Sequence, residues 1–314
     1  MIDICHLSKS YGGKAVLEDI SFSVPDGCIY GLVGYNGAGK TTLLSLIAGL
    51  LRPDAGTVTA DVGVGATAHR YSTFDSATVH REMFFIQDDP YILPAADLQG
   101  MAAFYRGYFP RFSMDTFHKL TSLFGLDEKK RISGFSKGMK RQAALVLGLS
   151  ARPRYLLLDE SFDGLDPGIR RTVCDLLMEY MADTGSTVIM ASHNLGAIEH
   201  VCDTVGMLNG NRIVYSCDVE DLRNRYRSMR AAFSAEADAT LLADLRHGEL
   251  VVSGRVMTFV TEEDEETVKH ALSKSGTLCL LESQGLTLEE IFTYENRKGG
   301  VHHDIAGLFG GEND

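Results

Sequence analysis

Short apolar runs, separated by stretches with helical spacing, mark the buried elements of the chain. Residues 1–33 alternate apolar and polar positions around turn signals, which predicts strands. CIYGLVG (28–34) predicts a buried strand that runs into a glycine-rich loop. TTLLSLIAGL (41–50) then has the apolar spacing of a helix, which we expect Gly49 and Pro53 to end.

Two further apolar runs, YLLLDE (155–160) and STVIMASH (186–193), predict buried strands with an amphipathic helix between them. Residues 56–80 are rich in Thr, Val, Ala and Gly and predict short strands of a side sheet, whereas residues 94–150 have helical patterns. Because strands alternate with helices, we expect an α/β fold whose parallel core sheet is covered on both faces.

The pattern changes after Val214. There it predicts a strand, a helix over ADATLLADLR (237–246), a hairpin turning at residues 253–254, a second helix and a strand, with a final helix over 286–295. The order βαββαβ indicates a ferredoxin-like α+β fold. We therefore expect a main domain over 1–217, a small domain over 225–296 and a flexible tail over 297–314.

Composition and charge restrict the partners of this chain. Its 314 residues carry a formal net charge of −12, which disfavours a nucleic-acid partner because a polyanion is bound by a basic surface. Six scattered cysteines without a CxxC pair indicate reduced thiols in a cytosolic protein. No stretch approaches the roughly 18 apolar residues of a membrane span, so a membrane role would require a partner.

The segment GYNGAGKT (34–41) matches the phosphate-binding pattern GxxxxGK[ST], between a predicted strand and a predicted helix. Glycines let successive backbone N–H groups turn toward an anion, and the helix N-terminus adds positive charge. Lys40 is expected to reach the β- and γ-phosphates of ATP, and Thr41 to place its hydroxyl on Mg²⁺. The nucleotide-binding residues that we predict from this segment are Gly34, Asn36, Gly37, Ala38, Gly39, Lys40, Thr41 and Thr42.

Polar residues follow both later strands, where open α/β sheets bind ligands. Asp159 suits a Mg²⁺ ligand, and the next side chain, Glu160, suits the polarisation of an attacking water molecule. His193 ends the second strand at the same edge, where it could hydrogen-bond the γ-phosphate and order Glu160.

In this order, these features resemble the ATP-binding-cassette (ABC) ATPase family over residues 1–215. FSKGMKRQ (135–142) resembles the family signature LSGGQ, although alone it also fits an ordinary helix N-cap. The resemblance implies a parallel core sheet, an antiparallel β subdomain and a helical subdomain over about 92–150. It also implies that the signature binds the γ-phosphate held by an opposite subunit. The signature residues are Ser136, Lys137, Gly138 and Met139, with Lys137 and Met139 replacing the usual Gly and Gln.

The resemblance assigns roles to three more positions and shows one departure from the family pattern. Tyr11 matches the aromatic residue that stacks on adenine, and Gln87 matches the glutamine that contacts Mg²⁺ and the water and links to the transmembrane subunit. Asp166, in GLDP, matches the segment that crosses the dimer interface. Ser161 stands where many relatives have proline, which affects the local loop. The predicted Mg²⁺ ligands are thus Thr41, Gln87 and Asp159.

The implied function is that of an ATP-hydrolysing transporter subunit. Two cassettes, identical or different, would pair head to tail around two ATP molecules and drive an integral membrane permease from the cytoplasmic face. The segments SKGM and FDGLDP and the small C-terminal domain resemble exporter-type cassettes. The alternatives are a soluble ABC ATPase that acts on ribosomes or DNA, a P-loop kinase, and a non-catalytic binding module.

Overall fold

A computed structural model of the chain describes residues 1–63, 68–93, 95–162 and 164–298. The chain divides into two compact units, Met1–Asp218 and a second unit from Val219 onward. The predicted tail lies, from residue 299, outside the described residues. In the ranges above, no helix is both long and apolar enough to cross a bilayer.

The first unit contains an antiparallel side sheet and a central, mostly parallel sheet. Within the described residues, the side sheet has the strand order β2-β1-β4-β5 and the central sheet the order β10-β9-β3-β8-β7-β6. The strands are β1 (Ile2–Tyr11), β2 (Lys14–Val24), β3 (Ile29–Gly34), β4 (Ala55–Val62), β5 (His69–Ser72), β6 (Met83–Ile86), β7 (Tyr155–Asp159), β8 (Thr187–Ala191), β9 (Thr204–Asn209) and β10 (Arg212–Asp218).

Helices cover the central sheet and form a helical segment between β6 and β7. They are α1 (Lys40–Ile47), α2 (Ala77–His80), α3 (Leu98–Tyr108), α4 (Met114–Leu123), α5 (Lys137–Ala151), α6 (Pro167–Thr184) and α7 (Leu195–Val201). Gly49 has φ +71° just beyond α1, and a Cβ there would lie 2.1 Å from the carbonyl oxygen of Thr73. Because only glycine is easily accommodated in that conformation, the helix ends short of the predicted Leu50.

The register of the central sheet brings four strand ends to one edge. Strands β6, β7, β8 and β3 run parallel, with Ile86 beside Leu158 and Asp159 beside Ala191. Strand β7 is buried along its whole length, which explains its continuous apolar run. The residues that follow these strands therefore lie at the same carboxyl edge, as expected for a ligand site in an open α/β sheet.

The second unit has one four-stranded antiparallel sheet in the part of the chain described. Its order is β12-β13-β11-β14, and one face packs on a core that includes Met229, Phe259 and Leu272. The elements are α8 (Val219–Arg225), β11 (Arg227–Phe233), a 3₁₀ turn (Ala239–Leu242), β12 (His247–Ser253), β13 (Val256–Thr261), α9 (Glu265–Ser273), β14 (Leu278–Gly285) and α10 (Leu288–Lys298).

The prediction of a helix over 237–246 was wrong, because the structure has only the 3₁₀ turn there. Asp238 accepts a hydrogen bond from the backbone N–H of Thr240, which closes a tight turn, and Leu242 is the buried residue of that turn. The strand predicted over 186–193 is also shorter, so His193 lies two residues beyond β8 instead of at its end.

Candidate active site

The loop between β3 and α1 is shaped by close backbone contacts. A Cβ at Gly34 would lie 2.7 Å from the carbonyl oxygen of Leu208, so no larger residue fits there without movement. Gly39 has φ +103° and precedes the first residue of α1, Lys40. The glycines of this segment thus meet the steric requirements of a phosphate-binding loop.

Lys40 is a nearly buried ammonium group with three oxygen partners. Its side chain is only 5% exposed. Nζ donates to the carbonyl oxygens of Gly34 and Tyr35 at 2.8 and 3.2 Å and lies 3.3 Å from Oε1 of Glu160. This arrangement compensates the charge of Lys40, as a buried cation requires.

Glu160 joins Lys40 to His193. Its Oε2 lies 2.9 Å from Nδ1 of His193 and also accepts the backbone N–H of His193 at 3.3 Å. The backbone of Glu160 has φ +46°, which is uncommon for residues other than glycine. The preceding residue, Asp159, still belongs to β7 and is buried.

Asp159 is a buried carboxylate with an unused oxygen. It is 1% exposed, and Oδ1 has no hydrogen-bond partner within the described residues. Burial raises the pKa of Asp159, and the charges of Glu160 and Asp88 add to that increase, while a hydrogen bond from Thr41 opposes it. An unpaired carboxylate oxygen beside a threonine hydroxyl fits the oxygen ligands that Mg²⁺ prefers.

Gln87 follows β6 at the same edge of the sheet. Because Ile86 pairs with Leu158, the next residue stands beside Asp159 in the register. Gln87 is exposed and lines a groove of about 370 Å³ together with Phe104, Tyr105 and Tyr108.

The signature segment lies at the start of α5. Ser136 is the N-cap of this helix, and its Oγ accepts the backbone N–H of Met139 at 3.2 Å. A Cβ at Gly138 would lie 3.3 Å from the carbonyl oxygen of Gly164. Within the subunit, the signature is therefore a neighbour of the GLDP segment, where Asp166 caps α6 through the N–H groups of Gly168 and Ile169.

The remaining predicted residues are distributed around the loop and the signature. Tyr11 is half-exposed at the end of β1. The neighbouring strand β2 carries Leu17, which packs against Gly39 of the loop, so the end of β1 belongs to the same part of the unit. Asn36 and Gly37 are exposed in the loop, as is Lys137 in the signature, whereas Ala38, Thr42 and Met139 are partly buried.

Two residues that the sequence did not single out lie inside the predicted motifs. Arg141, in α5, is buried and pairs with Asp88, which directly follows Gln87. Arg141 lies in the signature segment and Asp88 directly follows Gln87, but no sequence pattern indicates that the side chain of Arg141 is buried.

Comparison with known proteins identifies the family. The family model described as "ABC transporter" matches residues 17–163. The chain is 32% identical over 299 residues to the Nod factor export ATP-binding protein I of Rhizobium etli, covering 93% of this chain and 92% of that protein. The chain belongs to the ABC transporter family.

A second relative and a solved structure agree with this membership. The chain is 29% identical over 287 residues to the methionine import ATP-binding protein MetN 1 of Listeria monocytogenes serotype 4b, covering 87% of this chain and 84% of that protein. The solved structure of an ATP-binding subunit of an ABC transporter has a TM-score of 0.62 and 26% identity, covering 71% of this chain and 92% of that chain.

These findings confirm the predicted cassette fold and the predicted type of activity. The chain is an ATP-binding subunit of the ABC type, in a family of ATPases. The names of its relatives include both an importer and an exporter subunit, so family membership alone leaves the direction of transport open.

We predict that Asp159→Asn stabilises the protein in the absence of nucleotide and divalent cations. Burial raises the pKa of Asp159, so above that pKa the ionised carboxylate lowers the free energy of unfolding. This penalty disappears as pH falls to the ordinary pKa that aspartate has in the unfolded chain. At neutral pH we expect a gain of about 1 kcal/mol in urea unfolding.

The stability difference between Asp159→Asn and the native protein should narrow as pH falls through the raised pKa of Asp159 toward the ordinary aspartate pKa. Asp115→Asn, which changes an exposed carboxylate on α4, is the control and should stay within about 0.5 kcal/mol of the native protein. A less stable Asp159→Asn protein at neutral pH would contradict the assigned cost of the buried charge.

Proposed function

We propose that this chain is the motor subunit of an ABC exporter, which binds ATP between two cassettes and hydrolyses it to drive a separate permease. The observation that carries the proposal is the convergence of Lys40, Asp159, Glu160 and His193 at one carboxyl edge of the central sheet. A kinase or a passive binding module would not require this paired Glu–His arrangement beside the lysine.

The residues at this edge fit a Mg²⁺ ion. The proposed ligands are the hydroxyl of Thr41, the unpaired Oδ1 of Asp159 and the side-chain oxygen of Gln87, an all-oxygen set that leaves room for water and phosphate. When bound, the ion would neutralise charge that develops on the phosphate oxygens. Asp159 would provide the single carboxylate, since Glu160 is already engaged with Lys40 and His193.

In the proposed reaction, water attacks the γ-phosphorus, the bond to the β-phosphate oxygen breaks, and ADP and phosphate leave. Glu160 accepts the proton of the attacking water, and His193 holds the carboxylate through Nδ1 and its backbone N–H. Lys40, at the helix N-terminus, stabilises the negative charge of the β- and γ-phosphates. Tyr11 stacks on adenine near the base of the loop.

The second half of the site comes from a second cassette, identical or different. Among the described residues, a Cβ at Gly138 would meet only the carbonyl oxygen of Gly164, and Ser136 is exposed, so its hydroxyl and the helix N-terminus can serve a neighbour. Asp166 follows Gly164 and crosses the same interface. ATP then stabilises the closed pair, and hydrolysis releases it, which yields a two-state element.

The permease partner would dock beside Gln87. This residue lines a groove in which Phe104 and Tyr108 are half-exposed, 52% and 44% respectively. Exposed aromatic side chains around a concavity are typical of a protein-binding surface. A movement of the docked permease would then reach the metal site through Gln87. The chain would reside in the cytoplasm, on the inner face of the membrane.

Two observations support export. The signature reads SKGM, a variant that resembles exporter-type cassettes, and the Nod factor export relative matches 93% of the chain. The rival function is that of a soluble ABC ATPase, which would use the same catalytic residues but would not bind a permease.

Glu160→Gln should block hydrolysis and retain ATP binding. Glutamine keeps the size of the side chain but cannot accept the proton, so phosphate release should fall more than about 100-fold. Size-exclusion chromatography with Mg-ATP should reveal a stable dimer. Glu179→Gln, a change of an exposed glutamate on α6, is the control, and normal turnover by Glu160→Gln would refute its role as base.

Ser136→Ala should reduce turnover about 100-fold while the isolated subunit still binds nucleotide, because the hydroxyl acts on the neighbour's ATP. Removing an N-cap also destabilises a helix by about 1 kcal/mol. Ser113→Ala is the matched control, since Ser113 caps α4 through the N–H of Thr116 in the same manner. Equal losses of turnover in both variants would indicate a folding effect only.

Membrane association distinguishes the motor subunit from the soluble ATPase. When the tagged chain is isolated from gently solubilised membranes of its own cells, we expect an integral membrane protein to co-purify in a fixed ratio. Phe104→Ala, in the aromatic groove, should reduce this recovery while ATP binding persists. Recovery of the chain from the soluble fraction alone would support the rival function.

A further inference from the structure

Arg141 is a buried cation whose charged partner among the described residues is Asp88. It is 3% exposed, and its Nη2 donates to the carboxylate of Asp88. In the described part of the chain, Nε and Nη1 have no hydrogen-bond partner. Two unsatisfied guanidinium donors lower the free energy of unfolding, and an apolar residue at this position would avoid that loss of stability.

The guanidinium lies where three segments of the candidate site meet. Arg141 belongs to α5, the helix that begins at the signature, and Asp88 follows Gln87. A Cβ at Gly164 would lie 3.3 Å from Nη1 of Arg141, so the third segment is GLDP, which continues to Asp166. Each of these segments bears a residue to which a role in ATP hydrolysis is proposed above.

Asp88 also lies near Asp159, one of the proposed Mg²⁺ ligands. The register places the segment after β6 beside Asp159, and the negative charge of Asp88 contributes to the raised pKa of Asp159. Asp88 is 55% exposed, whereas its partner Arg141 is buried, so the arginine is the fixed member of the pair.

We propose that Arg141 is a positioning residue that holds Asp88, and with it Gln87, against the signature helix and the GLDP turn. The proposal rests on the proposed roles of Gln87 and Ser136. Arginine suits this task because one arm of its planar fork donates to Asp88 while the other lies beside the GLDP turn, whereas lysine offers a single point of charge. Through Arg141, the position of Gln87 at one ATP is linked to the orientation of Ser136, which serves the other.

The test uses Asp88→Asn in the full-length protein. Asparagine keeps the shape of the side chain but removes the charge that anchors the guanidinium. We expect the turnover number at saturating Mg-ATP to fall about 10- to 100-fold, because small displacements of catalytic groups have effects of that size. Affinity for a fluorescent ATP analogue should remain within about twofold, since Lys40 and the loop are unaltered.

Asp183→Asn is the matched control. Asp183 accepts a hydrogen bond from Nη2 of Arg152, just beyond the other end of α5, and is 62% exposed, close to the exposure of Asp88. A turnover number for Asp88→Asn within twofold of that for Asp183→Asn would overturn the proposal. A loss accompanied by equally weakened nucleotide binding, or by a larger drop in Tm than in the control, would do the same because it indicates a structural role.

Variants of the arginine provide the second measurement. Arg141→Lys should retain more activity than Arg141→Met, and adding Asp88→Asn to Arg141→Met should cause little further loss, since both remove one interaction. If the losses of turnover caused by Arg141→Met and Asp88→Asn were additive in the double variant, the two residues would not act as a pair. A wild-type rate in Asp88→Asn beside an inactive Glu160→Gln would reject the role of Arg141 and leave the proposed function intact.

Discussion

The candidate site is organised by the need to compensate the charge of Lys40. This ammonium group is almost excluded from water, so oxygen atoms must replace its hydration. The carbonyl groups of Gly34 and Tyr35 do so from the loop, which folds back over the start of α1. Glu160 supplies the opposite charge from the end of β7, and its link to His193, which follows β8, extends the same network to a third strand end.

Much of this network can be predicted from the sequence because it depends on strand ends. Buried parallel strands read as continuous apolar runs, and the first polar residue after each run lies at the carboxyl edge. That rule places Asp159 and His193 near one edge, the loop motif adds Lys40, and the structure brings Glu160 between Lys40 and His193. The rule requires only the order of elements, which local patterns reveal.

Features that depend on a precise backbone turn or on tertiary packing were not predictable. The left-handed conformation of Glu160 has no signal of its own in the sequence. The inward direction of Arg141 depends on how α5 packs against β6. The helix expected over 237–246 does not form, because a 3₁₀ turn already pairs Asp238 with the N–H of Thr240 and buries Leu242.

The unfavourable features of the site occur together, which argues that they serve binding. Asp159 has an unpaired buried oxygen, Glu160 has a positive φ, and Arg141 has two unsatisfied donors. Each lowers stability by itself and persists only because the surrounding sheet and helices hold it in place. For Asp159, a bound cation would reverse the effect, because the burial that penalises a lone carboxylate strengthens its attraction to an opposite charge. The cost of burying this unpaired carboxylate is therefore relieved when a cation binds, and this relief contributes to the affinity for the cation.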